Sequence, residues 1–344
     1  MKSLGKIIRS VQAFGREVTG ISTPQHAQNS PSIGLALGGG FARGIAHVGV
    51  LKVLEEENIP VQFIAGTSVG ALIGAAYCSG VSAAELGEIA TRVRFKHFAR
   101  WTLSRYGFAS NQRMIGFLNS ILKVKTFEEL RIPLAVTATD FSTGEGVVFQ
   151  SGPLVEPVRA SCAYPGMFLP VRFKGRLLVD GMLAHAVPTV PLRMMGAERV
   201  LAVHLKGHWT NGEGPRHLFD VIGQCFAIAQ QMNCDVWKKA ADLVLEPDVN
   251  GYKYDAFEYS AALVRAGELA TPYKSAQTPY PPTRHHARRL IVVKGHDFVP
   301  TRQQKPRLQP RRNVPPNQKG ILTCQTRVAV HLLENTPVLQ AGLG

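Results

Sequence analysis

Several signatures that would assign a common function are missing from this chain. Its five cysteines are odd in number and form no C-x-x-C pair, which argues against disulfides and a structural zinc site. This usage favours a reducing, cytoplasmic compartment. The histidines lack the H-E-x-x-H spacing of a metalloprotease, so we predict no metal and no cofactor. No apolar run reaches the roughly 18 residues of a transmembrane helix, so none is predicted.

Acidic residues are scarce at the C-terminal end of the sequence. The formal net charge is +15, and residues 276–344 contain 11 Lys or Arg against two acids, Asp297 and Glu334. A Pro-, Arg- and Gln-rich segment of this kind cannot bury enough apolar surface to fold. We therefore predict that residues 273–344 form a disordered basic tail. The tail has little aromatic interleaving and no known nucleic-acid-binding motif, so no nucleic-acid partner is expected.

The N-terminal region, residues 1–31, has the pattern of a basic amphipathic helix followed by a linker. Arg9 and Arg16 interrupt its apolar stretch, which is therefore not interpreted as a signal peptide. Apolar residues of the segment 2–21 fall near helical spacing, and basic residues project from the opposite side. This pattern predicts peripheral contact with an anionic membrane, and packing of the helix against the folded domain is the alternative.

Residues 32–272 show the alternation of an α/β domain. Short apolar runs with the length of buried strands occur at 33–37, 61–65, 132–139, 147–150, 177–179 and 200–205. Segments with the apolar spacing or the length of helices lie between these runs or after them, at 44–57, 69–78, 154–162 and 218–239. This order indicates a three-layer α/β/α sandwich with a largely parallel central sheet.

Two loops in this domain have the composition of a hydrolase site. Residues 66–70 read G-T-S-V-G between a buried strand and a helix, which fits a nucleophile elbow with Ser68 exposed above the sheet. Residues 38–44 read G-G-G-F-A-R-G at another strand-to-helix junction. This second loop lacks the glycine spacing of a dinucleotide site and the G-K-[ST] of a P-loop. Its free glycine N–H groups would suit an oxyanion hole.

A serine nucleophile needs a base, and the residues offer several. Asp180 follows the apolar run 177–179 and is placed at a strand end, where α/β active sites gather. Asp140, also at a strand end, is the competing carboxylate. His47 and His185 are the histidines that could complete an ordinary triad. Spacing along the chain does not decide among these four.

The order of these motifs, G-G-G-x-x-R-G, then G-x-S-x-G, then D-G, resembles the patatin-like phospholipase family. The chain is most similar to the bacterial branch related to the catalytic domain of neuropathy target esterase. The similarity extends from about residue 33 to about residue 269 and includes GLALGGGFARGIAHVGVLKVLEE, FIAGTSVGALIGAAY and LLVDGMLAHAVP. The resemblance implies a patatin-like sandwich over the whole of this stretch.

Residue roles follow from the resemblance at matching positions. It implies that Ser68 and Asp180 form a catalytic Ser–Asp dyad that needs no histidine. Since free aspartate ionises near pH 4, Asp180 is expected to be an ionised, weak base at neutral pH. The glycines that match the oxyanion loop are Gly38, Gly39 and Gly40. Arg43 matches the basic residue of that loop and is expected near a substrate phosphate.

Two positions depart from the family pattern. Met182 occupies the third place of the D-G-[GA] motif, where a small residue is usual, and is expected to alter the pocket. His185 stands where the family often has asparagine and is expected to face the substrate or to pack.

The implied activity is that of a serine lipid acyl hydrolase with phospholipid or lysophospholipid as substrate. The alternatives are a soluble carboxylesterase or thioesterase and a catalytically weak lipid-binding scaffold.

Overall fold

The computed structural model describes residues 31–102, 104–206, 214–215 and 218–271. The predicted amphipathic segment 2–21 and the predicted tail 273–344 lie outside these ranges. The boundaries of the predicted domain, residues 32–272, therefore stay predictions. Within the described ranges, no helix has the length and apolar character needed to cross a bilayer.

Short and mostly apolar runs form the strands of the central sheet, and two-residue strands form a separate pair. The strands are β1 (Ile33–Leu37), β2 (Phe63–Thr67), β3 (Arg100–Trp101), β4 (Ala109–Ser110), β5 (Leu134–Asp140), β6 (Gly146–Phe149), β7 (Val171–Phe173), β8 (Arg176–Asp180), β9 (Arg199–Val203) and β10 (Leu243–Leu245). The helices between and after them are α1 (Ala46–Glu56), α2 (Val69–Cys78), α3 (Ala83–Arg92), α4 (Arg113–Ile121), α5 (Val155–Ser161), α6 (Thr189–Met194), α7 (Leu218–Met232), α8 (Asp235–Lys239) and α9 (Ser260–Ala270).

The central sheet is mostly parallel. Its strand order in the described residues is β10-β9-β1-β2-β5-β8-β7, with β6 paired to β5 outside this path. The first five strands of the order run parallel to one another, and β6, β7 and β8 pair antiparallel. The carboxyl ends of β1 and β2 therefore meet at one edge, beside β5, where Leu37 lies opposite Gly66 and Thr67 opposite Thr137.

Helices cover both faces of the sheet. On one face, an apolar cluster joins the sheet to α1, α2 and α3 through side chains such as Leu51, Ile73 and Leu86. On the other face, Leu192 of α6 and Trp237 of α8 pack against the sheet. The predicted three-layer α/β/α sandwich is thus confirmed. Apolar side chains on two faces explain why the sheet strands read as continuous apolar runs.

The structure differs from the predicted elements in one long segment. Residues 218–239, predicted as a single helix, form α7 and α8 with a break at Asn233 and Cys234. The Asn233 side-chain amide donates to the carbonyl of Ala229, and its backbone N–H donates to the same oxygen. An asparagine that bonds to the preceding turn favours the end of a helix, which explains the break.

Candidate active site

Ser68 lies in the turn between β2 and α2 with the backbone of a nucleophile elbow. Its φ of 56° and ψ of −126° are rare for a residue with a side chain, and it is only 7% exposed. Such conformations persist only where the surroundings enforce them. Gly70 is part of that enforcement, because a Cβ there would collide with the carbonyl groups of Leu37 and Gly38. The turn therefore holds the start of α2 against the glycine loop.

Asp180 meets Ser68 at the same edge of the sheet. The Ser68 hydroxyl donates to Oδ2 of Asp180 at 2.7 Å, and the N–H of Met182 donates to Oδ1 at 2.9 Å. The side chain of Asp180 is fully buried. Burial raises its pKa from 3.8 to about 7, and the hydrogen bonds from Ser68 and Met182 act in the opposite direction. The expectation of an ordinary acidic pKa is therefore wrong, because that pKa belongs to a solvated carboxyl.

The three competing bases lie in other arrangements. One carboxylate oxygen of Asp140 accepts from the N–H of Ser142, and the other pairs with Arg176 at 3.3 Å. The ring of His47 is fully buried, and its Nε2 lies 2.8 Å from the Gly38 carbonyl. Burial lowers the pKa of His47 to about 4, so the ring is neutral at pH 7.

His185 is half-buried, and burial lowers its pKa. The backbone of His185 takes part in the site, because its carbonyl accepts from the Thr67 hydroxyl at 2.7 Å. Among the described residues, no hydrogen bond joins either histidine ring to Ser68 or Asp180. The geometry therefore brings together a serine and a carboxylate, without an imidazole between them.

The glycine loop follows β1 and reaches the serine. A Cβ on Gly39 would lie 3.4 Å from the Cβ of Ser68, which places this backbone directly beside the serine. Two N–H groups of the loop already have acceptors: Gly38 donates to the Val203 carbonyl at 3.1 Å and Gly39 to the Ala186 carbonyl at 3.3 Å. The expectation that all three glycines offer free N–H groups is therefore not met in this arrangement. Within the described chain, Gly40 is the loop glycine whose N–H is not bonded to the protein backbone.

Arg43 takes a different position from the one expected of a phosphate-binding side chain. It is buried, and its Nε donates to the Tyr252 carbonyl at 2.9 Å. Burial lowers the pKa of this guanidinium. The contact links the glycine loop to the segment that precedes α9, so Arg43 stabilises the loop from within the fold.

Met182 packs where its departure from the family pattern affects the site. Its methyl group would lie 3.5 Å from a Cβ on Gly39, and its side chain joins an aromatic cluster with Phe41 and Tyr164. The long side chain therefore lies across the space between the glycine loop and Asp180.

Two residues that the sequence analysis did not identify contact Ser68. The hydroxyl of Ser161, at the end of α5, accepts a hydrogen bond of 2.7 Å from the N–H of Ser68. The thiol of Cys162 lies next to the pair, where burial and the charge of Asp180 raise its pKa and a hydrogen bond with Ser68 lowers it. Ser161 belongs to the stretch VRASCAYPG at 158–166, and only the fold shows that this serine reaches the elbow.

An apolar cavity of about 100 Å³ opens beside the elbow. Phe41, Val69 and Cys162, which adjoin the glycine loop and the serine, form part of its wall. The rest of the wall consists mainly of aliphatic and phenyl side chains of α1, α2, α3 and α4. Cavities of this composition stay dry and accept hydrocarbon.

The described residues contain no group of three or more His, Cys, Asp or Glu side chains that could hold a metal ion.

Comparison with known proteins gives a consistent result. Residues 35–193 match the family described as patatin-like phospholipase. An uncharacterized NTE family protein of Mycobacterium bovis is 34% identical over 194 residues, which make up 52% of this chain and 50% of that protein. Lysophospholipase NTE1 of Mycosarcoma maydis is 30% identical over 270 residues, or 72% of this chain and 14% of that protein.

A human relative completes the comparison. The patatin-like phospholipase domain-containing protein 6 of Homo sapiens is 36% identical over 185 residues, which cover 50% of this chain and 13% of that protein. The chain thus spans half or less of the length of these relatives. The family match and the relatives confirm the resemblance inferred from the motifs, and the chain belongs to the patatin-like phospholipase family, in the group related to NTE proteins.

Proposed function

We propose that this protein is a serine lipid acyl hydrolase of the phospholipase or lysophospholipase type, with Ser68 as nucleophile and Asp180 as base. The observation that carries the proposal is the 2.7 Å hydrogen bond from the Ser68 hydroxyl to a fully buried carboxylate. A nucleophile within hydrogen-bond reach of its base is the signature of covalent acyl transfer. The pKa of Asp180, raised to about 7, makes it a better proton acceptor at neutral pH than an ordinary aspartate.

The proposed reaction proceeds in two halves. Asp180 Oδ2 takes the proton of Ser68 as Oγ forms a bond to the ester carbonyl carbon, and the carbonyl oxygen becomes an oxyanion. The leaving alcohol or lysolipid oxygen then takes that proton from Asp180 as its bond to the acyl carbon breaks. In the second half, water gives a proton to Asp180 and attacks the acyl-enzyme. The proton returns to Ser68 as the fatty acid departs.

The oxyanion needs donors close to Ser68. We assign this role to the N–H of Gly40 together with the first N–H groups of α2, which have no acceptor within the helix. The hydrogen bonds of Gly38 and Gly39 to Val203 and Ala186 hold the loop in place for this purpose. Removal of one such donor typically costs about 3–4 kcal/mol of transition-state stabilisation.

The acyl chain of a lipid fits the surroundings of Ser68. The dry cavity beside the elbow offers hydrocarbon contacts to a fatty acyl group whose carbonyl carbon lies at the serine. The name of the Mycosarcoma maydis relative, a lysophospholipase, agrees with such a substrate. Phospholipids or lysophospholipids are therefore the proposed substrates.

Two other functions would use the same residues differently. A soluble carboxylesterase or thioesterase would share the dyad but have no preference for lipid. A catalytically weak scaffold would bind lipid without turnover, and the position of Met182 across the site is the observation that favours it.

Covalent labelling tests the proposal. We expect a fluorophosphonate to label the wild type and to leave Ser68→Ala unlabelled, because the hydroxyl that it modifies is removed. The control variant Ser142→Ala, at an exposed serine, is expected to be labelled like the wild type. Release of fatty acid from a lysophospholipid and from a short soluble ester, measured in parallel, separates lipid preference from general esterase activity.

The results discriminate among the three functions. A folded wild type that is not labelled would contradict the dyad and support the scaffold. Labelling with turnover of the short ester alone would support the soluble esterase.

A further inference from the structure

A hairpin on the surface exposes aromatic side chains that the dyad does not use. Strands β3 and β4 form this hairpin, whose described residues are 100–102 and 104–110, with Arg100 paired to Ser110 and Trp101 to Ala109. Trp101 is 65% exposed and Tyr106 71%, and Phe108 is also exposed. Clustered apolar side chains that remain in water mark a surface that contacts something else.

The chain around the hairpin is basic throughout. From Ile89 to Phe127 the sequence contains eight Lys or Arg residues and no Asp or Glu. All eight of these basic side chains are exposed, and among the described residues Lys123 forms an ion pair with Glu85, whereas the other seven form none with a carboxylate. These seven are Arg92, Arg94, Lys96, Arg100, Arg105, Arg113 and Lys125. The exposed aromatic groups are therefore surrounded by uncompensated positive charge.

The hairpin is attached to the loop that passes the dyad. The N–H groups of Phe108 and Ala109 donate to the Met167 carbonyl at 3.1 and 2.8 Å. In the same loop, the carbonyl of Ala163 accepts from the N–H of Asp180 at 2.9 Å. The hairpin therefore lies on the side of the molecule where Ser68 and Asp180 meet.

Helix α7 extends the apolar surface beside the hairpin. The rings of Phe108 and Phe219 touch at a centroid distance of 5.2 Å, which joins the two elements. One charged residue, Asp220, occurs in this helix, and it is buried. The outward face is exposed and almost entirely apolar, with Leu218, Val221, Cys225, Ile228 and Met232 at helical spacing.

We propose that the β3–β4 hairpin, together with the outward face of α7, docks the protein on an anionic lipid bilayer. Trp and Tyr side chains place an apolar body and a polar tip at the level of the headgroups. Arginines beside them attract an anionic surface. The apolar face of α7 offers no polar groups to a nucleic acid, and this favours lipid over RNA as the partner.

This inference rests on the proposed function in one respect, since the docked bilayer would supply the substrate. It is separate from the predicted membrane contact of residues 2–21.

Vesicle binding by the full-length protein tests the electrostatic part. We expect tighter binding to phosphatidylcholine vesicles that contain phosphatidylglycerol than to phosphatidylcholine alone. Arg100→Gln/Arg105→Gln is expected to weaken that binding about 25-fold, from about 5-fold for each basic residue at an anionic surface. The matched control, Arg131→Gln/Lys239→Gln, removes two exposed charges near the amino ends of β5 and β10 and is expected to bind like the wild type.

Fluorescence tests the insertion of the aromatic side chains. We expect brominated lipid to quench Trp209→Phe, which removes the tryptophan outside the described residues, and to quench Trp101→Phe/Trp209→Phe much less, because the remaining Trp237 is buried in the core. Trp101→Ala/Tyr106→Ala is expected to weaken vesicle binding about tenfold or more through lost apolar burial. Met194→Ala, an exposed apolar side chain on α6, is the matched control and is expected to have no effect.

Three outcomes would overturn the docking surface. The first is unchanged vesicle binding in both hairpin variants, and the second is an equal loss of vesicle binding in the hairpin and control variants. The third is that the hairpin variants lose binding to single-stranded RNA but keep their binding to vesicles.

Hydrolysis of a soluble ester separates this inference from the proposed function. We expect the hairpin variants to hydrolyse it at the wild-type rate while fatty-acid release from vesicles falls with binding. A wild type that turns over no ester would refute the proposed function, and vesicle binding would still decide the docking surface.

Discussion

Two neighbouring strand ends carry an aspartate each, and their surroundings differ. Asp140 ends β5 and Asp180 ends β8, and both side chains are buried. The carboxylate of Asp140 meets a cation, the half-exposed guanidinium of Arg176, and closes a turn at Ser142. The carboxylate of Asp180 meets a serine hydroxyl and a backbone N–H. The same residue type at the same kind of position thus closes a turn in one place and, in the proposed function, serves a nucleophile in the other.

The hydrogen-bond and ion-pair partners of a carboxylate, rather than its position along a strand, therefore distinguish a structural aspartate from a proposed base. An arginine beside a carboxylate satisfies it through an ion pair, as Arg176 does for Asp140. A buried carboxylate held by neutral donors keeps its affinity for a proton, which is what a base requires. Exchange of each carboxylate for an amide is the most direct way to test this difference.

The largest expected effect is on turnover. Asp180→Asn is expected to lower kcat/KM for a soluble ester roughly 1,000-fold, because the amide cannot take the proton of Ser68. Asp140→Asn is the matched control and is expected to stay within a few-fold of the wild type. The two rates are measured with purified, folded variants. Equal losses in both variants would remove the distinction between the two carboxylates.

The second effect is on the pH dependence of the rate. As the proposed base, Asp180 can accept a proton only when it is ionised, and its pKa is raised to about 7. We therefore expect kcat/KM to be constant above that pH and to fall about tenfold per pH unit below it. An uncharged soluble ester is the proper substrate for this profile, because its charge does not change with pH and the assay contains no bilayer whose charge could change. If kcat/KM stayed constant down to about pH 5, Asp180 would not be a buried base whose partners are all neutral.

Much of the site was predictable because its motifs are local. A glycine-rich turn and a G-x-S-x-G elbow are fixed by a few adjacent residues, and Ser68 and Asp180 meet as expected. Six strands of the central sheet also followed from short apolar runs between helical segments. These features depend on neighbours in sequence, which pattern reasoning can see.

The remaining features depend on contacts between distant residues. The bond from Ser68 to Ser161 spans 93 residues, and the bond from Arg43 to Tyr252 spans 209. The raised pKa of Asp180 depends on burial, which the sequence does not report. The hairpin at 100–110 was not predicted either, because two-residue strands leave almost no periodicity to read.

The smallest effect, and the one that links the site to stability, concerns the free energy of unfolding. The folded carboxyl of Asp180 holds its proton up to a pH of about 7, whereas its ordinary pKa is 3.8. Between these values the folded state binds more protons than the unfolded state, so stability falls as pH rises, by up to about 4 kcal/mol in total. Asp180→Asn has no charge to bury and is expected to be more stable than the wild type at about pH 8.

Unfolding by urea at two pH values measures this difference. The advantage of Asp180→Asn is expected to shrink towards about pH 5, where the wild-type carboxyl is protonated in the folded state. Asp140→Asn is expected to be destabilised by about 1 kcal/mol or less, because its ion pair has a half-exposed partner. A gain for Asp180→Asn only at the higher pH would mean that the charge needed for catalysis is held at the expense of stability. An equal loss at both pH values would mean that Asp180 is a structural carboxylate like Asp140.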